Sequence, residues 1–146
     1  MKVQDLMRTS VVTLHSGDTL NVADDIMKMG RIRHLPVVNS HNYVVGIVTQ
    51  RDLYKAAISS VLGFMAKKEN EWLGKIRVSD VMTIEVITTR ADSSLVTAID
   101  SLVTAKIGCL PVVDQEGKLV GLLTETDCLR SFHDLLKMGS FEQWLS

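Results

Sequence analysis

A mixed α/β (α+β) fold, made of two copies of one strand–helix–strand–strand–helix unit packed on each other, is predicted by three observations. The first is internal repetition: displaced by 75 residues, the stretch 3–56 aligns with 78–131 without a gap, and 17 of 54 positions are identical. Unrelated chains of ordinary composition share about 3 or 4 such positions, so the repeat decides the architecture. The second is a set of short β-branched, apolar runs in each copy, suited to strands. The third is one longer stretch per copy with apolar residues near helical spacing. A unit of about 54 residues cannot cover its own apolar surface well, which favours packing of the two copies.

In chain order, "SVVTL" (10–14) and "EVITT" (85–89) read as first strands. "SGDTLNVADDIMKMG" (16–30) opens on capping residues, carries Leu20, Val22, Ala23, Ile26, Met27 and Met29 near helical spacing, and stops at Gly30. Its counterpart is "ADSSLVTAIDSLVTAK" (91–106). "HLPVV" and "CLPVV", the polar connections "NSHN" and "DQEG", and the runs "YVVGIVT" and "LVGLLT" predict a β-hairpin in each copy. A second helix follows each Thr-x-x-Asp. The strands are apolar at nearly every position, as expected when both faces are covered. The predicted boundaries are 1–62 for the first motif, 63–77 for a helical extension and linker, 78–134 for the second motif and 135–146 for a tail whose Phe141 and Trp144 pack on the body or on another subunit.

With 16 basic and 17 acidic residues the chain has no general nucleic-acid surface, so any anion must be held locally. Cys109 and Cys128 are too few and too isolated for a disulfide framework or a CxxC metal site; they fit a buried role in a reducing compartment. No run approaches the roughly 20 apolar residues that span a bilayer, and "MKVQDLMRTS" lacks the apolar core of a secretory signal. A cytoplasmic protein with no membrane and no nucleic-acid partner is expected. His15, His41 and His133 form no metal-binding spacing. There is no GxxxxGK[ST], no GxGxxG and no nucleophile placed beside a base, so the expectation is no enzyme, no metal and no required cofactor.

"VQDLM", "IRHLPVV" and "VVGIVTQRDL", with the matching "VSDVM", "IGCLPVV" and "LVGLLTETDC", resemble the signatures of CBS domains (cystathionine-beta-synthase-type domains), and the resemblance covers nearly the whole chain. Two in tandem resemble a Bateman module, a pseudo-twofold pair whose central cleft commonly takes adenosine-containing ligands. The short form is similar to small bacterial stand-alone CBS-pair proteins of the acetoin-utilisation type. The resemblance implies an adenine nucleotide (AMP, ADP or ATP) as regulatory ligand, a homodimer, and an unidentified protein that the module regulates. The apolar residues of "LYKAAISSVLGFM" offer a surface for the dimer, or else complete the core of one chain.

Thr49 and Asp52, like Thr124 and Asp127, stand at a strand-to-helix junction with capping-box spacing. Thr satisfies orphan backbone N–H groups and Asp favours the helix dipole. A carboxylate there also accepts hydrogen bonds from paired ribose hydroxyls, and helix N–H groups can meet phosphate oxygens nearby. The resemblance assigns ribose to Asp52 and Asp127 and places Thr49 and Thr124 toward phosphate. It also places Val11, Val12 and Thr13, with Val86, Ile87 and Thr88, in an adenine slot, alongside the segment before LPVV; their other role is ordinary core.

Phosphate requires positive charge, and the copies differ: Arg31, Arg33, His34 and Arg51 in the first stand where the second has Lys106, Gly108, Cys109 and Thr126. Arg33 and His34 occupy the two places before Leu-Pro at which nucleotide sensors of this type carry basic phosphate contacts. One dominant, phosphate-competent site in the first copy is therefore expected. Pro36 and Pro111, also candidates at the site, are predicted to begin their strands. Gly46 and Gly121 permit a bulge or a close backbone approach. The alternatives to a nucleotide sensor are a ligand-independent dimerisation or scaffold module, in which both Thr-x-x-Asp motifs serve only as caps, and a binder of S-adenosylmethionine, NAD or a cyclic dinucleotide.

Overall fold

The computed structural model describes residues 1–62 and 69–139. The described residues form two three-stranded sheets and six α-helices, divided between two compact units. One is Val12–Val86 with Gly117–Leu119; the other is Met1–Val11, Ile87–Glu116 and the chain from Val120. Phe141, Trp144 and most of the predicted tail lie outside the described residues, as do 63–68 of the predicted linker.

The first unit runs through β1 (Leu14–His15), α1 (Leu20–Gly30), β2 (His34–Val38), β3 (Val44–Thr49), α2 (Gln50–Leu62), α3 (Glu69–Leu73) and α4 (Val78–Val81). Its sheet order is β1-β2-β3, parallel between β1 and β2 and antiparallel in the β2–β3 hairpin. The second unit has a 3-10 turn at Val3–Asp5, then β4 (Thr89–Arg90), α5 (Leu95–Ala105), β5 (Cys109–Val113), β6 (Leu119–Thr124) and α6 (Glu125–Lys137), with sheet order β4-β5-β6. The predicted order of strand, helix, strand, strand, helix therefore appears twice.

Several local expectations need correction. The runs at 10–14 and 85–89 pair only at their ends: Leu14 and His15 lie beside Val37 and Val38, and Thr89 and Arg90 beside Val112 and Val113. Val11, Val12 and Thr13, with Val86, Ile87 and Thr88, precede those pairings, because β-branching reports fit to a pleated surface rather than the presence of a neighbouring strand. On α1 the buried stripe is Leu20, Ala23 and Met27, repeated on α5 as Leu95, Ala98 and Leu102. Met29, counted with that face from sequence, is 87% exposed. Gly30 stays helical, and the left-handed residue that ends α1 is Arg31 (φ 51°), matched after α5 by Lys106 (φ 54°). Their N–H groups donate to Met27 O and Leu102 O, closing the helix ends without glycine.

Pro36 and Pro111 are the third residues of β2 and β5 rather than the first. A central strand tolerates Pro36 because of register. Pro36 faces Ile47, whose N–H and C=O are both engaged by Thr83 on the opposite side. This is a non-hydrogen-bonded pair, and the side of β2 toward β1 is paired only from Val37 onward. No ladder bond is lost to the missing donor.

The feature that most shapes both units is an exchange of leading segments. Val3 lies in the core of Leu95, Ala98, Leu102, Leu110, Val112 and Leu123, whereas Val78 lies in the core of Leu14, Leu20, Leu35, Val37 and Val48. The backbone bonds repeat pair by pair. Val3 N–H donates to Ser93 O (3.0 Å) as Val78 N–H does to Asp18 O (2.7 Å). Arg8 and Leu122 exchange two bonds of 2.9 Å, and Thr83 and Ile47 exchange bonds of 2.9 and 3.0 Å. Each "V-x-D-x-M" thus adds a short antiparallel edge to the sheet built from the other sequence repeat. Asp5 and Asp80 accept from Lys2 N–H and Arg77 N–H and cap these turns.

That exchange explains the repeated glycine. A Cβ on Gly46 would stand 2.5 Å from Met82 Sδ and 3.1 Å from Thr83 O; one on Gly121 would stand 2.8 Å from Met7 Sδ and 2.9 Å from Arg8 O. Both predicted devices occur in the first unit, since β2–β3 register also shifts between Val37 and Val38. Farther along, α3 sets Leu73 into the first core at 1% exposure, so the stretch after α2 contributes packing as well as length.

Candidate functional site

Each hairpin ends where a helix begins, and that corner repeats in detail. Thr49 N–H donates to Asp52 Oδ2 (2.8 Å), and Asp52 N–H donates to Thr49 Oγ1 (3.3 Å). Thr124 and Asp127 make the same pair at 3.1 and 3.2 Å. In both copies the Thr hydroxyl also lies within bonding distance of Asp Oδ2, at 3.1 Å for Thr49 and 2.8 Å for Thr124. The predicted capping boxes are present, and each fixes one carboxylate oxygen against the helix N-terminus.

The first unit gathers the basic candidates beside this corner. His34 is the register partner of Thr49, and Arg33 O accepts from Gln50 N–H at 2.9 Å, the second residue's carbonyl tying the chain before β2 to the start of α2. Arg33 and Arg51 are exposed, while His34, Thr49 and Asp52 are half-buried. The corner of the second unit has the matching bond from Glu125 N–H to Gly108 O at 3.0 Å, but carries Gly108 and Cys109 in place of Arg33 and His34. Cys109 is buried, and desolvation, with the Glu125 carboxylate second, pushes its thiol up to about 12. It supplies no cation and no ready nucleophile. Cys128, half-buried beside Asp127, is raised by burial first and then by that carboxylate.

The remaining candidates divide by exposure. Val12 and Ile87 are 50% and 44% exposed, Thr88 is exposed and Thr13 half-buried. Pro36 and Pro111 are buried in their sheets and act on the corner through the strand's path. Among the described residues no group of three His, Cys, Asp or Glu side chains is placed to hold a metal ion, and no helix is long and apolar enough to cross a membrane.

Sequence reading missed Arg8. Its Nε donates to Asp127 Oδ1 at 2.8 Å, and Arg130 Nη1 stands 4.0 Å from the same oxygen. The Asp127 side chain is 6% exposed. At the first corner the place of Arg8 is taken by Thr83, its equivalent from the second copy, and among the described residues Asp52 Oδ1 has no hydrogen-bond or ion-pair partner. The two corners therefore share a backbone and differ in whether the outer carboxylate oxygen is engaged. The only signal in sequence is the Arg/Thr mismatch within "VQDLMR" and "VSDVMT", and a separation of 119 residues hides what that arginine meets.

Comparison with known proteins places these corners in context. The family model described as CBS domain matches twice, at residues 3–59 and 78–134. A CBS domain-containing protein of Dictyostelium discoideum is 34% identical over 130 residues, covering 87% of this chain and 88% of that protein. Other relatives are longer: the chain spans 23% of a homoserine O-acetyltransferase of Methanococcoides burtonii, at 33% identity over 88% of this chain. Among solved structures, a Vibrio cholerae protein described as an acetoin utilization protein superposes with a TM-score of 0.79 at 33% identity, covering 96% of both chains. A CBS domain pair in complex with 5′-methylthioadenosine and S-adenosyl-L-methionine gives 0.78 at 28% identity, covering 92% of this chain and 97% of that one. Another, in complex with AMP, gives 0.77 at 25% identity with the same coverage.

Proposed function

Because the chain belongs to the CBS domain family, with two domains in tandem, we propose that it is a regulatory module that binds an adenine nucleotide at its strand-to-helix corners. The observation that carries the reading is the paired geometry of Thr49–Asp52 and Thr124–Asp127, in which one carboxylate oxygen is held by the cap. At Asp52 the other oxygen has no partner among the described residues and is left to accept ribose hydroxyls, whereas at Asp127 it receives Arg8. The exposed Arg33 and Arg51 beside the first corner supply charge for a phosphate, which favours AMP, ADP or ATP over a sulfonium ligand. That two structural neighbours were solved with adenosine-containing ligands supports the class of ligand. The module acts by binding rather than by catalysis, in the cytoplasm, and passes its state to a partner protein through differential affinity for two arrangements.

Thermal-shift titration with AMP, ADP, ATP, S-adenosylmethionine and NAD tests this, because a ligand selective for the folded state raises stability by mass action. A saturable rise with one or more of the adenine nucleotides, abolished in Asp52→Ala/Asp127→Ala, is expected. A lowered melting temperature in that variant, with no ligand shift in the parent, means the motifs are caps alone.

A second reading is favoured by one observation. Along α6, Leu129, Phe132 and Leu136 are 67%, 44% and 47% exposed at helical spacing, an apolar stripe suited to a homodimer. If no nucleotide shifts the melting curve, a ligand-independent assembly module is the better description.

A further inference from the structure

We infer that Arg8 closes the second corner, so that the chain binds one adenine nucleotide, at Asp52, and that the Arg8/Thr83 difference sets this stoichiometry. The inference rests on the proposed nucleotide reading and adds which corner works and why. At Asp127, Oδ2 is held by Thr124 N–H and Oγ1, and Oδ1 receives the Arg8 guanidinium at 2.8 Å with Arg130 at 4.0 Å. A ribose hydroxyl arriving there must displace a charged donor, and a neutral hydroxyl is the weaker partner for a carboxylate. The side chain's 6% exposure leaves little room for both.

Asp52 has the same cap through Oδ2, but its Oδ1 has no partner among the described residues. The segment that brings Arg8 to the second sheet brings Thr83 to the equivalent place on the first, bonded to Ile47 as Arg8 is to Leu122. The segments of the first corner carry the exposed Arg33 and Arg51 where those of the second carry Gly108 and Thr126, and the cations at the second corner, Arg8 and Arg130, stand at Asp127 itself.

Isothermal titration of the full chain with AMP, and with S-adenosylmethionine as a second probe, tests the inference. The parent is expected to bind one equivalent, lost in Asp52→Ala and kept in Asp127→Ala. Arg8→Thr is expected to bind two equivalents of S-adenosylmethionine, the probe that asks for no phosphate contact. The reciprocal change, Thr83→Arg, is expected to weaken parental binding at least tenfold, and it probes the idea without disturbing Arg8. Two equivalents in the parent, one equivalent of S-adenosylmethionine or weaker binding in Arg8→Thr, or unchanged affinity in Thr83→Arg overturns the closing role while leaving the nucleotide reading in place. No heat with either probe in any variant overturns the nucleotide reading, and the inference falls with it.

Discussion

Cys109 shows how one side chain's environment becomes a solution property. Its thiol is neutral in the folded state up to about 12 because a thiolate in that core would be poorly solvated, with Glu125 adding repulsion. In the unfolded chain it loses its proton near the ordinary value of 9.0. Between those values the unfolded state holds fewer protons, so stability falls as pH rises through that window and is unaffected below it. Urea midpoints measured at several pH values from 8 to 11 should fall more steeply for the parent than for Cys109→Val; parallel curves would show that this thiol does not contribute. The same residue marks a limit on function, since the place equivalent to His34 in the first copy holds a buried sulfur in the second.

At the scale of elements, the repeated glycines connect strand β3 or β6 to the segment laid against it. Gly121→Ala forces a Cβ to 2.9 Å from the backbone oxygen of Arg8 and 2.8 Å from Met7 Sδ, whereas at Gly46 the backbone contact is 3.1 Å and the closest approach, 2.5 Å, is to the movable side chain of Met82. Overpacking of this kind costs about 1–3 kcal/mol. Gly121→Ala is expected at the upper end and Gly46→Ala at the lower, measured by denaturant unfolding; equal losses would show that both segments yield alike. The helices, the hairpins and the Thr-x-x-Asp caps are legible in sequence because their signals are local: apolar residues near helical spacing from 20 to 29, of which 20, 23 and 27 are the buried ones, polar turn residues, and Thr three residues before Asp. Pairing of β1 and β4 starts only at Leu14 and Thr89 although β2 and β5 reach back to His34 and Cys109, because a β-branched composition does not report where a neighbouring strand is engaged. The exchanged segments and the Arg8–Asp127 pair were illegible, since residues 119 apart leave no periodicity to read.

For the whole molecule, the exchange changes what holds the chain together. The described part of the predicted linker, 69–77, does not join the two units; it lies within the first, between Val12 and Val86. A specific protease site inserted between 63 and 68 should therefore give two fragments that co-elute under native conditions. Residues before the cut would still hold Val3 in the second core, and residues after it would still supply Leu73 and Val78 to the first. Separation without denaturant would show that these contacts are too weak to bind the pieces.

The period of the duplication and the borders of the foldable pieces are out of phase. A truncation ending at 62 keeps one full sequence repeat yet removes the valine that seals its interior, whereas an excised piece from 12 to 86 keeps it. Whoever shortens this polypeptide, by engineering or by gene rearrangement, obtains an intact half only by cutting across the repeat rather than between its copies.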